Sequence, residues 1–184
     1  MGRLWLKKHC IHLPKGELAV IRGLHHISIS TNNFDRLLHF YRDLIGLPFA
    51  VSYDWGSGNA VADKVVGLKD SAVKTALLRA GNTFVEIFQY THPVGNDPIP
   101  NRRACDAGLT HICFDVIDVD GEYDRLLAEG VEFHTPPVDV GGTVRTTYGR
   151  DPDGNIFELQ EVTQSGLALD LKNVVPELET QIIK

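Results

Sequence analysis

The chain contains an internal repeat: two short segments of its first half recur, in the same order, in its second half. Gly23-Leu24-His25-His26-Ile27 returns as Gly108-Leu109-Thr110-His111-Ile112, and Phe84-Val85-Glu86-Ile87 returns as Ile156-Phe157-Glu158-Leu159. A repeat of this kind indicates that one supersecondary unit occurs twice and that the two copies pack together. The fold must therefore accommodate two similar modules.

The first copy reads as a strand, a helix and three further strands. Polar and apolar residues alternate over 24–31, and Asn32 or Asn33 can cap a helix that Gly46 ends. A Gly81-Asn82 pair predicts a tight turn between the last two strands. The predicted later strands cover 47–53, 72–80 and 83–90.

The second copy follows the same plan. A strand is predicted over 110–116 and a helix over 119–129, and Gly130 ends that helix. The segment Asp151-Pro152-Asp153-Gly154 is a strong turn signal before the closing strand. The predicted later strands lie near Val131 and over 143–148 and 155–162.

These patterns predict an α+β chain of two tandem βαβββ modules that form a curved mixed sheet around a cup. A segment over 54–71 has no counterpart in the second copy and reads as an insertion, with a possible short helix over 60–66. The predicted divisions are an N-terminal extension (1–22), the first module (23–92), a proline-containing linker (93–107), the second module (108–163) and a C-terminal tail (164–184).

Composition narrows the class of function. The 184 residues carry a formal net charge of −6. Nucleic-acid binding relies on positive charge, so we do not expect a nucleic acid as partner. No apolar run approaches the length of a membrane span. The three cysteines, Cys10, Cys105 and Cys113, are odd in number and scattered, which favours a reducing compartment. We therefore expect a cytoplasmic protein with a small-molecule substrate.

Strand alternation places the repeated histidines and glutamates on the cup face. In this reading His26 shares a face with Ser28, and His111 shares a face with Cys113, while the intervening isoleucines point to the opposite side. A buried carboxylate is costly unless it is paired or bound to a cation. Two imidazoles and two carboxylates suit one Ni²⁺, Co²⁺, Zn²⁺, Mn²⁺ or Fe²⁺ ion. The predicted ligands are His26, Glu86, His111 and Glu158.

The same residues resemble the vicinal oxygen chelate superfamily, which comprises the glyoxalase, bleomycin-resistance and extradiol-dioxygenase group. The resemblance covers Gly23 to Val162. It is carried by the two histidine strands, by Phe40-Tyr41-Arg42-Asp43-Leu44-Ile45-Gly46-Leu47, by Phe84-Val85-Glu86-Ile87-Phe88 and by Asp151-Pro152-Asp153-Gly154-Asn155-Ile156-Phe157-Glu158-Leu159. The chain looks most like glyoxalase I-like and methylmalonyl-CoA epimerase-like members.

The resemblance implies one divalent ion bound by His26, Glu86, His111 and Glu158. It also implies an isomerase or lyase of glyoxalase or epimerase type, which abstracts a proton next to a carbonyl through a metal-stabilised enediolate. Glu158 is the first candidate for the proton-transferring carboxylate and Glu86 the second. Edge strands of such modules can pair between chains, so a homodimer is also expected.

Two alternatives remain open. One is an Fe²⁺-dependent ring-cleaving dioxygenase of extradiol type that uses His26, His111 and Glu158, with Glu86 away from the iron. The other is a metal-free protein that sequesters a small molecule, as in the bleomycin-resistance branch. Oxygen uptake with a diol and the metal content of the purified protein distinguish these from the first hypothesis.

Overall fold

The computed structural model of the chain describes residues 23–99 and 101–173. The predicted N-terminal extension, residues 1–22, lies outside the described residues, as do residues 174–184 of the predicted tail. Within the described ranges, no helix combines the length and the apolar character that crossing a membrane requires.

The first module contains every element that the sequence predicts. The side chain of Asn33 caps the first helix by accepting a hydrogen bond from the Arg36 amide at 3.2 Å. The structure differs from the predicted single α-helix because the second half widens into a π-helical segment, and Gly46 then turns the chain with a φ of 86°. In chain order the elements are β1 (His26–Ser30), α1 (Phe34–His39), the π-helical segment (Phe40–Leu44), β2 (Phe49–Val51), α2 (Ala60–Val66), β3 (Ala72–Ala80) and β4 (Thr83–His92).

The second module repeats this order with one additional short strand. The Asp118 side chain caps its helix by accepting a hydrogen bond from the Gly121 amide at 3.1 Å. The elements are β5 (His111–Asp115), α3 (Val119–Ala128), β6 (Glu132–Phe133), β7 (Val138–Val140), β8 (Val144–Arg150) and β9 (Ile156–Val162), followed by a short 3₁₀ turn (Leu171–Asn173).

The strands form two mixed sheets. The first has the order β1-β4-β3-β2, and the second has the order β5-β9-β8-β6 with β7 also paired to β8. In each sheet the first strand runs parallel to the last, and the other pairings are antiparallel. The α+β class and the two βαβββ modules are thus confirmed. Each module forms its own mixed sheet.

The registers of the two parallel pairs are equivalent. Ser28 lies opposite Glu86 across β1 and β4, and Cys113 lies opposite Glu158 across β5 and β9. Because side chains alternate along a strand, the histidine two residues earlier projects from the same face as the glutamate in each module. The repeat therefore produces one histidine and one glutamate on the same face of each sheet.

The opposite faces of the two sheets pack with the helices into one core. This core joins residues of both modules, and fully burying each aliphatic or aromatic side chain of this kind stabilises the fold by about 1.5–3 kcal/mol. Its buried members are Ile29, Leu37, Phe40, Tyr41, Leu78, Val85, Ile87, Val119, Leu126, Val131, Phe157 and Leu159.

The first module's helical segment also contacts the second module directly. The Phe40 ring lies 5.6 Å from the Phe157 ring, centroid to centroid. The Arg36 guanidinium pairs with the Asp153 carboxylate, whose side chain is almost completely buried. These contacts fix how the two histidine–glutamate faces are placed relative to one another.

Candidate metal centre

The first module holds one predicted pair of ligands together. Nε2 of His26 lies 3.5 Å from Oε2 of Glu86, which is only 3% exposed. The Ser28 hydroxyl donates a hydrogen bond to the same carboxylate oxygen. On the other side of its ring, Nδ1 of His26 lies 2.8 Å from Nδ1 of His25, whose ring stacks on Phe84. His25 thus orients the ring of His26.

The second module holds the equivalent pair. Nε2 of His111 lies 3.0 Å from Oε2 of Glu158, which is 8% exposed. The Thr146 hydroxyl donates a hydrogen bond of 2.6 Å to Oε1 of the same glutamate. The Tyr148 ring packs against the His111 ring with 4.9 Å between centroids. Nδ1 of His111 is buried and has no hydrogen-bond partner among the described residues.

Both buried carboxylates make their surroundings negative. Burial, with the Glu86 charge as the second cause, raises the pKa of Tyr90. Burial, and next the Glu158 charge, raises the pKa of Tyr148 in the same way. Burial and the Glu158 carboxylate also raise the pKa of Cys113 to about 12, so this side chain is a neutral thiol at pH 7. Each face therefore presents a potential that favours a cation.

Each histidine–glutamate pair fits a divalent ion. Two ligand atoms bound at roughly 2.1 Å from one ion, at angles between about 90° and 109°, lie about 3.0–3.4 Å apart. The His111–Glu158 distance of 3.0 Å lies within this range, and the His26–Glu86 distance of 3.5 Å lies just above it. Nitrogen and carboxylate donors also form the ligand set that first-row transition metals accept. Each histidine–glutamate pair therefore fits as half of the ligand set of one divalent ion.

The two halves do not meet within one chain. Among residues 23–99 and 101–173, no three His, Cys, Asp or Glu side chains lie close enough together to hold an ion. The physical reason is that the ligands sit on two separate sheets, whose relative placement is fixed by the helical packing. A single four-ligand site therefore stays a prediction, and it requires the two pairs to be brought together.

A cavity of about 760 Å³ lies between the modules. Ser28, Ser30 and Tyr90 of the first sheet line it, as does His111 of the second. The linker and the turn before β9 complete its wall. Space for a small molecule therefore exists beside one of the predicted ligands.

Three polar residues make contacts that the sequence indicates in part or not at all. Ser28 is on the predicted cup face, but its hydrogen bond to Glu86 depends on the register of β1 against β4. No sequence signal identifies Thr146, because its contact with Glu158 depends on the pairing of β8 with β9. Arg145 of β8 pairs with Asp120 of α3 at 2.6 Å, a contact between β8 and the helix that no local pattern indicates.

Comparison with known proteins identifies a family and several similar sequences. The sequence profile of the Glyoxalase/Bleomycin resistance protein/Dioxygenase superfamily matches residues 23–159. The mitochondrial methylmalonyl-CoA epimerase of Dictyostelium discoideum is 26% identical over 147 residues, which cover 77% of this chain and 79% of that protein.

Solved structures show the same fold. A glyoxalase family protein from Bacillus cereus superposes with a TM-score of 0.71 at 22% identity, over 83% of this chain and 99% of that one. The fosfomycin resistance protein FosX from Listeria monocytogenes, solved with Mn(II) and sulfate, superposes with a TM-score of 0.52 at 22% identity, over 78% of this chain and 94% of that one.

Proposed function

Because this chain belongs to the Glyoxalase/Bleomycin resistance protein/Dioxygenase superfamily, we propose that it is a divalent-metal-dependent isomerase or lyase. The proposed reaction removes a proton next to a carbonyl group of a small oxygenated substrate. The observation that carries the proposal is the pair of matched His–Glu contacts, one on each module, at distances suited to one ion. We further propose that the protein acts in the cytoplasm.

His26, Glu86, His111 and Glu158 would hold the ion. The relatives support this assignment: FosX was solved with Mn(II), and a methylmalonyl-CoA epimerase is among the similar sequences. When bound, a divalent ion supplies Lewis-acid stabilisation of negative charge on substrate oxygens. The ions that accept this ligand set are Ni²⁺, Co²⁺, Zn²⁺, Mn²⁺ and Fe²⁺.

Glu158 is the proposed base. Its Oε1 is held by the Thr146 hydroxyl and its Oε2 faces His111, so the carboxylate is fixed on the face where the substrate would lie. It takes the proton from the carbon next to the carbonyl, and the electron pair of the broken C–H bond moves toward the carbonyl oxygen. Glu86 is the second candidate, and it could return a proton from the opposite side.

We propose that a second copy of the chain completes the site. The two pairs do not converge within one chain, and the side chains of His26 and His111 remain 42% and 28% exposed. In a twofold dimer, the first module of one copy can face the second module of the other, and the same contact then occurs twice. Each dimer would hold two ions, one at each contact.

The test combines metal analysis with proton exchange. The purified protein should contain about one ion per chain, and candidate 2-hydroxyketones should incorporate deuterium from solvent next to the carbonyl, as followed by NMR. Glu158→Gln should abolish this exchange and leave the fold intact, because the amide cannot accept the proton. The matched control is Glu132→Gln on exposed β6, which should exchange like the original protein.

Three results would contradict the proposal. Full exchange by Glu158→Gln would remove the base role. Oxygen consumption with a catechol, without proton exchange, would favour the dioxygenase alternative. Absence of tightly bound metal together with tight binding of a small molecule would favour the sequestering alternative.

A further inference from the structure

An aromatic cluster lies beside the first pair of predicted ligands. The Trp55 ring contacts the Phe88 ring edge-on, with 6.0 Å between centroids, and Phe88 stacks on Tyr90 at 5.7 Å with 18° between ring planes. Phe88 and Tyr90 follow Glu86 by two and four residues on β4, so strand alternation places them on the same face as this glutamate. These three residues are called the aromatic wall below.

The aromatic wall is held in place by the insertion. The backbone of Trp55 pairs with Val73 through hydrogen bonds of 3.3 and 2.9 Å, and Val73 in turn lies opposite Tyr90. The indole Nε1–H of Trp55 donates to the Ser71 hydroxyl at 2.9 Å. Trp55 is therefore fixed both through its backbone and through its ring.

Asp63 of α2 completes this support. Its carboxylate accepts hydrogen bonds from the Ser71 hydroxyl at 2.6 Å, from the Ser71 amide at 2.7 Å and from the Asp70 amide at 2.8 Å. These hydrogen bonds orient Ser71 toward the indole. The insertion thus holds Trp55 in place through α2 and Ser71.

The aromatic wall is confined to one module. The positions on β9 that correspond to Phe88 and Tyr90, counted from the glutamate, are Gln160 and Val162. The insertion that supplies Trp55 likewise has no counterpart in the second module. The two halves therefore resemble one another at the ligands and differ beside them, so a substrate would have one preferred orientation.

The three rings are partly exposed and do not belong to the central core. A partly exposed aromatic surface beside a buried carboxylate offers a planar ring a stacking surface next to a polar anchor. Tyr90 also lines the cavity between the modules, so one ring of the aromatic wall borders space for a ligand.

We infer that Trp55, Phe88 and Tyr90 bind an aryl group of the substrate, whose vicinal oxygens lie at the His26–Glu86 pair. The substrate class is then aryl-substituted 2-hydroxyketones and their oxidised relatives. The placement of the oxygens rests on the proposed function, whereas the aryl preference rests on the aromatic wall.

The test measures ligand binding by NMR with three uncharged probes that share the same vicinal oxygens. 2-Hydroxyacetophenone carries a phenyl ring, 1-cyclohexyl-2-hydroxyethanone an apolar ring without π electrons, and hydroxyacetone a methyl group. The phenyl probe should bind roughly tenfold more tightly than hydroxyacetone, and the cyclohexyl probe should be intermediate. Saturation transferred from the protein should be strongest at the phenyl protons.

Trp55→Ala should lower the ratio of the affinities for the phenyl and methyl probes to about threefold or less, because one face of the aryl site is lost. The metal content should not change, because Trp55 is not one of the four predicted ligands. Trp55→Phe should retain most of the preference, which separates an aromatic contact from a general loss of structure. The matched control is Val65→Ala on the same insertion, whose side chain is exposed and should leave the preference intact.

Equal binding of the three probes by the original protein would overturn the inference, as would a preference that Trp55→Ala leaves unchanged. The proposed function can fail independently. If the protein binds no metal and exchanges no proton but still prefers the phenyl probe through Trp55, the aryl site stands and the metal-dependent reaction does not.

Discussion

The Tyr41 hydroxyl donates a hydrogen bond of 2.9 Å to Oδ2 of Asp151, and this contact joins the helical segment of the first module to the turn before β9 of the second. Tyr41 is 1% exposed and Asp151 is 4% exposed. The same carboxylate also accepts hydrogen bonds from the side chain and the amide of Asn155 and from the amide of Asp153, each at 2.9 Å. The turn between β8 and β9 is thus built around an anion that the other module helps to satisfy.

Replacing Tyr41 with Phe should lower the free energy of unfolding by about 1–2 kcal/mol. The ring still fills its place, but one buried hydrogen bond to Asp151 is lost, while Asn155 continues to satisfy the same oxygen. Chemical denaturation followed by circular dichroism measures the change. Tyr53→Phe, at an exposed position, is the control, and an equal loss in both variants would contradict the role of this contact.

Alkaline pH should destabilise the fold partly through Tyr41. Burial, followed by the charge and hydrogen bond of Asp151, raises the pKa of Tyr41 well above the ordinary 10.0. Because the folded protein keeps this proton and the unfolded chain releases it, the stabilisation is complete below pH 10 and is lost as the pH rises toward the folded pKa.

Above pH 10 this group alone should reduce the free energy of unfolding by about 1.4 kcal/mol per pH unit. Denaturant titrations between pH 8 and about pH 11 should therefore show a shallower decline for Tyr41→Phe than for the original protein. If the free energies of unfolding of the two proteins fall in parallel with pH, the pKa of Tyr41 is the same in the folded and unfolded states and the prediction is wrong.

Gly149→Ala should destabilise the second sheet by about 1–3 kcal/mol. A Cβ atom at this position would lie 2.7 Å from Cε1 of Phe157 and 3.1 Å from the backbone oxygen of Glu132. The buried ring cannot move aside without disturbing its contact with Phe40. Thermal unfolding measures the effect, and Gly56→Ala, where a Cβ meets nothing within 4 Å, should show no comparable loss.

Metal binding by mixed variants tests whether two chains share the site. One variant carries His26→Ala and Glu86→Ala, and the other carries His111→Ala and Glu158→Ala, so neither alone has a complete ligand set. If each ion lies between two copies, unfolding and refolding an equal mixture should restore about a quarter of the normal metal content, because half the dimers then contain one intact site of two.

The two variants kept apart provide the control. A mixture that binds no more metal than the separate variants would show that the site, if it exists, is formed within one chain. Native mass spectrometry of the mixture, with one variant labelled with ¹⁵N, confirms that mixed dimers have formed. A monomer that binds one ion per chain would also overturn the shared site.

The repeat predicted the secondary structure closely, because strand and helix signals are local. The helix α3 was predicted over 119–129 and is found at Val119–Ala128, and the short helix of the insertion lies at Ala60–Val66 as predicted. Strand alternation also placed His26, Glu86, His111 and Glu158 on the cup face, and the structure brings His26 to Glu86 and His111 to Glu158. The two histidine–glutamate contacts depend on the two-residue period of the strands and on pairing within one module.

The arrangement of the modules could not be predicted in the same way. It depends on contacts between residues far apart in the chain, such as Tyr41 with Asp151 and Arg36 with Asp153, and no periodic pattern identifies such partners. For this reason the strands of each module could be predicted, but the placement of the two sheets relative to one another could not. The contact of Thr146 with Glu158 was not predicted, because it depends on the register of β8 against β9 and a single sequence does not reveal that register.

The helix of the insertion has its own start and stop signals. Asn59 caps α2 at its start, Gly67 ends it with a φ of 70°, and Asp63 closes the segment through its hydrogen bonds to Asp70 and Ser71. We expect that such a segment can be lengthened, shortened or transplanted between homologous scaffolds, while the parallel strands that carry the histidines and glutamates stay unaltered. Engineering new selectivity would accordingly begin there.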